Sequence, residues 1–87
     1  MRITRIDVDG NKDGHSASFM RRPGNNGVMV AIRTPQMPDG RLFLIDAGSG
    51  YEDMRAFARD VIQPRLDVEP DDNDVNQYLR CLQDIMD

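Results

Sequence analysis

A single cysteine, Cys81, leaves the chain no intramolecular disulfide to form and cannot by itself supply a zinc site. That usage fits a reducing compartment, and the cytoplasm is the expected location. No stretch approaches the roughly 20 apolar residues of a bilayer span, and the opening `MRITRIDVDG` has no apolar core of an export signal. Neither membrane insertion nor export is expected. Repeats, linkers and low-complexity tracts are missing too; glycine and proline fall as punctuation between short apolar runs. The 87 residues are expected to form one domain spanning 1–87. A chain of this size hides only about 60 to 65% of its unfolded surface, so its core is limited to one contact between two layers.

Charge is unevenly spread. The net value is −4, but residues 1–45 carry seven Lys and Arg against four Asp, whereas residues 46–87 carry four Arg against eleven acids. An electrically two-ended chain can steer a charged partner to one end, while the acidic total argues against a protein built mainly to neutralise phosphates.

The apolar pattern changes period near the middle. In `RITRIDV`, Ile3, Ile6 and Val8 suit a first strand whose alternation slips once, as at a bulge. `SASFMRR` alternates Ala17 and Phe19 against Ser18 and Met20, and `PGNNG` then supplies a hairpin turn. Val28 to Ile32 is uninterrupted apolar sequence, and Pro38-Asp39-Gly40 turns the chain into Leu42 to Ile45. Strands three and four, apolar on both faces, are expected to be central.

From Ser49 the spacing is helical. Ser49-Gly50-Tyr51-Glu52 has the form of a capping box; Met54, Phe57, Ala58, Val61 and Ile62 make one stripe, and Pro64 is expected to end the helix near Gln63. After the acidic connection `RLDVEPDD`, Val75, Tyr78, Leu79, Leu82, Ile85 and Met86 define a second helix, with Asp71, Asp72 and Asp74 at its positive end. The expected fold is α+β: a four-stranded antiparallel sheet in ββββαα order with both C-terminal helices on one face.

Several short motifs suggest chemistry. Asp9-Gly10-Asn11-Lys12-Asp13-Gly14 resembles the first half of an EF-hand loop, but the eighth and twelfth positions are Ser16 and Met20, so the closing bidentate glutamate is missing. A turn between strands accounts for the same residues. `LIDAGSG` resembles the nucleotide loop of class I methyltransferases and the `LIDAG` strand of metallo-β-lactamase-like hydrolases. The first family needs further βα units beyond the 37 residues that remain, and the second needs a histidine cluster where this chain has one histidine. Gly48 and Gly50 read instead as a tight strand-to-helix bend. His15 lies near Asp13 and Ser16, but neighbouring strand residues point to opposite faces, and no catalytic geometry follows. Cys81 reads as a small core residue on the second helix.

Function is expected to follow from an excess of apolar sheet surface. Two helices cover one face, leaving Met29, Ala31, Phe43 and Ile45, or the opposite set, in need of a partner. The leading expectation is a non-enzymatic, cofactor-free binding protein, an adaptor, regulator or inhibitor that meets a protein partner or a second copy of itself. Its docking residues are that apolar set or an acidic end formed by Asp67, Glu69, Asp71, Asp72 and Asp74, which in one version imitates the charge of nucleic acid as phage-type inhibitors do. Two alternatives stand beside it. One is a DNA-binding sheet using Arg21, Arg22, Arg33 and Arg41, since strands followed by a helix resemble the arm-binding domains of tyrosine integrases. The other is a weak calcium module at Asp9–Gly14.

Overall fold

The computed structural model describes residues 2–24 and 27–86. Four strands, β1 (Arg5–Asp9), β2 (Ser16–Arg21), β3 (Gly27–Arg33) and β4 (Arg41–Asp46), form one antiparallel sheet in chain order, β1-β2-β3-β4. The fold is the α+β arrangement that the change of period predicts. Asn25 and Asn26, the middle of the expected hairpin turn, lie outside the described residues. At the next turn Gly40 takes a φ of 94°, a conformation open to glycine without strain.

Two strand expectations are corrected. Consecutive hairpins lay the strands side by side, so β2 and β3 are central and β4 is an edge. Ile3 precedes β1 and is exposed, so its slipped alternation marks the strand's start and not a bulge.

Alternation sorts the strands cleanly. Ile6 and Val8, Ala17 and Phe19, Val28, Val30 and Ile32, and Phe43 and Ile45 occupy the inner face under the helices. The first helical rod has three pieces: α1 (Tyr51–Phe57), a wider π turn (Ala58–Ile62) and α2 (Gln63–Leu66). It buries Met54, Ala58, Ile62 and Leu66. Then α3 (Asp72–Met86) buries Val75, Tyr78, Leu79, Cys81, Leu82 and Ile85. Ile62 and Leu82 are both fully enclosed; truncating either to alanine would cost about 2–5 kcal/mol through lost transfer energy and the cavity left behind.

The helix boundaries also differ from expectation. Gly50, in an extended conformation, is the N-cap of α1 and no side chain caps it; the Ser49 backbone N–H instead closes a turn on the Asp46 carbonyl at 3.1 Å. Glu52 and Asp53 still place negative charge in the first turn. Pro64 does not end the rod. It falls in the first turn of α2, just after the π turn, where its missing N–H and its ring are accommodated by the widened backbone. Asp71 caps α3, its carboxylate accepting the Asp74 N–H at 2.8 Å.

Candidate docking surface and the loop that clasps the helix end

The outer face of the sheet has two unlike halves. On the β1 side, the Ser18 hydroxyl is almost completely buried and donates to Asp7 Oδ1 at 2.5 Å. It accepts from Arg33 Nη1 at 2.9 Å and from Arg5 Nη2 at 3.4 Å. Arg5 also pairs with Asp7 at 3.0 Å, and Arg33 Nε donates to Ser16 Oγ at 3.0 Å. The Ser18 and Arg5 hydrogen bonds hold the Asp7 carboxyl below the usual carboxylate range. These polar groups satisfy one another and cover their half of the sheet. Sequence reasoning did not find this network, although its signal was present: polar side chains at 5 and 7 and at 16 and 18 repeat with strand period.

The other half is apolar and has no such cover. Met20, Met29 and Leu44 lie in one row across three strands, with Ala31 beside Leu42 in the next. Leu42 is 60% exposed and Leu44 is 55% exposed. The expected set Met29, Ala31, Phe43 and Ile45 is therefore divided by register. Met29 and Ala31 face outward, whereas Phe43 pairs with Val30 and Ile45 with Val28 on the core side. Phe43 meets the edge of the Phe57 ring at 6.1 Å and lies under the Arg41 and Arg65 guanidiniums at 5.2 and 5.0 Å; Ile45 is buried. Leu42 and Leu44 take their place outside.

The acidic end changes as well. Glu69, Asp71 and Asp72 are exposed and Asp74 is half-buried, but Asp67 is interior. Its carboxylate accepts the Tyr78 hydroxyl at 2.7 Å and the Asn11 backbone N–H at 3.2 Å, so it cannot present charge to a partner. Burial, followed by the bond to Asp67, raises the Tyr78 phenol well above its ordinary range.

The loop from Asp9 to His15 docks on the end of α2. Lys12 donates from Nζ to the Pro64 carbonyl at 2.7 Å and from its backbone to the Leu66 carbonyl at 3.0 Å. His15 Nδ1 lies 2.9 Å from the Arg65 carbonyl, and Asn11 Oδ1 accepts the Val68 N–H at 2.6 Å. A helix ends with carbonyls that have no partner in their own ladder. This loop supplies donors to three of them in succession, with a lysine charge at the negative end of the dipole. The open concavity of about 510 Å³ lined by Asp9 to Ser16 thus has Asn11, Lys12 and His15 already engaged in the fold. Among the described residues, no group of three His, Cys, Asp or Glu is placed to hold a metal ion.

The four arginines of the DNA-binding alternative do not converge. Arg21 donates to the Ile85 carbonyl at the end of α3, Arg22 lies 3.5 Å from Asp46, Arg33 is tied to Ser16 and Ser18, and Arg41 stacks on Phe43. Cys81 is buried and its thiol is pushed up to about 11, chiefly by desolvation. Among the described residues, no helix is long and apolar enough to cross a membrane. Comparison with protein-family models, with curated proteins and with solved structures returns no match.

Proposed function

We propose that the chain is a non-enzymatic binding module that docks a protein through the apolar half of its outer sheet face. The observation that carries this reading is the contrast between the two halves. The β1 side is closed by hydrogen bonds around Ser18, whereas Leu42 and Leu44 stand more than half exposed in adjoining rows with Met29 and Ala31. Burying two such leucines against a partner would contribute on the order of 1 kcal/mol or more each. The engagement of Lys12, His15 and Asn11 in the helix clasp supports a role without catalysis.

The test compares two surface variants. Leu42→Asp with Leu44→Asp should keep the wild-type circular dichroism and lose a stoichiometric partner, and crosslinks in the wild-type complex should map to β3 and β4. Glu69→Lys with Asp72→Lys should retain that partner. The reverse pattern, loss with the lysine variant and retention with the aspartate variant, would transfer the function to the acidic end.

A further inference from the structure

We infer that this surface meets a second copy of the chain at its β4 edge, by antiparallel pairing of β4 with β4 of its partner into one continuous eight-stranded sheet. This rests on the docking reading above and joins the apolar halves of two outer faces side by side. The two edges of the sheet are treated differently. At β1 the edge is short and carries Arg5, Asp7 and Asp9, all exposed, with Arg5 and Asp7 paired at 3.0 Å; charges of this kind discourage addition of another strand. At β4 the exposed charges, Arg41 and Asp46, stand at the two ends of the strand, its middle carries Leu42 and Leu44, and it has a strand neighbour on one side only.

The β4 sequence is self-complementary in one register. With a two-fold axis through Phe43, Leu42 of one copy lies opposite Leu44 of the other on the outer face, and Leu44 lies opposite Leu42. Since Met29 adjoins Leu44 and Ala31 adjoins Leu42, each outer row becomes an apolar strip running from Met20, Met29 and Leu44 of one copy to Leu42 and Ala31 of the other. Phe43 meets Phe43 on the inner face, Arg41 lies opposite Ile45, and Asp46 lies opposite Gly40. No like charges face each other. Moving the axis to Leu44 would instead set Asp46 against Leu42. Small residues, Gly40 at one end and Ala47 and Gly48 at the other, leave the approach open. A ribbon of six residues is roughly 20 Å long, a short seam from which a dimer that dissociates on dilution is expected.

Cysteine crosslinking reads the register directly. Leu42→Cys and Leu44→Cys chains are prepared separately, mixed and oxidised; the buried Cys81 is common to all samples, and unsubstituted protein gives the background. Directly opposed side chains lie within disulfide reach, whereas two copies of residue 42, or two of residue 44, stand on a longer diagonal. The expected result is a 42-to-44 crosslink several-fold above either homodimer, together with concentration-dependent dimerisation in sedimentation velocity. Equal homodimer yields, crosslinking no higher than background, or a monomer across the whole concentration series would overturn the pairing. If the protein stays monomeric while Leu42→Asp with Leu44→Asp still loses a heterologous partner, self-pairing alone has failed. If neither effect is seen, the docking reading has failed with it.

Discussion

The Tyr78 hydroxyl donates to the buried carboxylate of Asp67 at 2.7 Å, and the other oxygen of that carboxylate accepts the Asn11 N–H at 3.2 Å. One acid thus joins α3, the end of α2 and the β1–β2 loop. A buried carboxylate is tolerated when its oxygens are satisfied and is costly when they are not.

Tyr78→Phe should therefore destabilise the domain by about 1–3 kcal/mol, since it removes the donor and leaves the carboxylate oxygen buried. For a domain of this size each kcal/mol corresponds to roughly 4–8 °C in Tm. Thermal denaturation checks the shift. A double-mutant cycle with Asp67→Asn should show coupling, and strictly additive effects would mean that the two side chains are not partners.

Gly10 lies against the end of α2 so closely that a Cβ there would overlap the Leu66 carbonyl oxygen and come 2.8 Å from the carbonyl carbon. Gly10→Ala should push the loop off the helix, loosening Lys12 and Asn11 together, and lower Tm by several degrees. Gly48→Ala is the control, because nothing stands within 4 Å of its Cβ position. Equal Tm values for the two variants would show that the clasp adds no stability.

The strands and α3 were legible because each obeys one local rule, alternation or the i, i+3, i+4 spacing, over enough residues to exclude the other. The edge position of β4 was not, since Leu42 to Ile45 is as apolar as a strand covered on both faces and its exposure is decided by where the neighbours end. Pro64 misled for a related reason: proline forbids an ordinary helical interior, but the backbone answered with a π turn. The charge of Asp71 at the start of α3 was legible, whereas its capping bond to the Asp74 N–H came from the structure. The burial of Asp67 depends on Tyr78, 11 positions away, and on Asn11, 56 positions away, and no window of sequence holds all three.

Duplex DNA should bind weakly and without sequence preference. With Arg21, Arg22, Arg33 and Arg41 engaged at separate places and the second half of the chain strongly acidic, few phosphates can be neutralised at once. Affinity measured over a salt series should be lost by physiological ionic strength. Tight, sequence-selective binding that survives there and disappears in Arg22→Ala with Arg33→Ala would overturn this expectation.

Asp74 should cost the fold stability at neutral pH. Its carboxyl is raised above the ordinary range, first by desolvation and then by the neighbouring charges of Asp67 and Asp71. Its place in the first turn of α3 favours negative charge and acts against these two effects. The protonated form is thus preferred in the fold more than in the unfolded chain. Above the raised pKa the ionised group is a burden, and that burden is relieved as pH falls through it. Asp74→Asn keeps the shape and removes the charge, so its Tm should exceed wild type at neutral pH, with the difference narrowing on acidification. Asp7 has the opposite sign, since Ser18 and Arg5 lower its pKa; its contribution is present above the unfolded value and is lost as pH falls through the folded one. Asp7→Asn should therefore lower Tm at neutral pH, with the loss shrinking in acid. Melting curves of both variants over a pH series separate these effects, and a neutral-pH Tm for Asp74→Asn below wild type would show that its charge stabilises the fold.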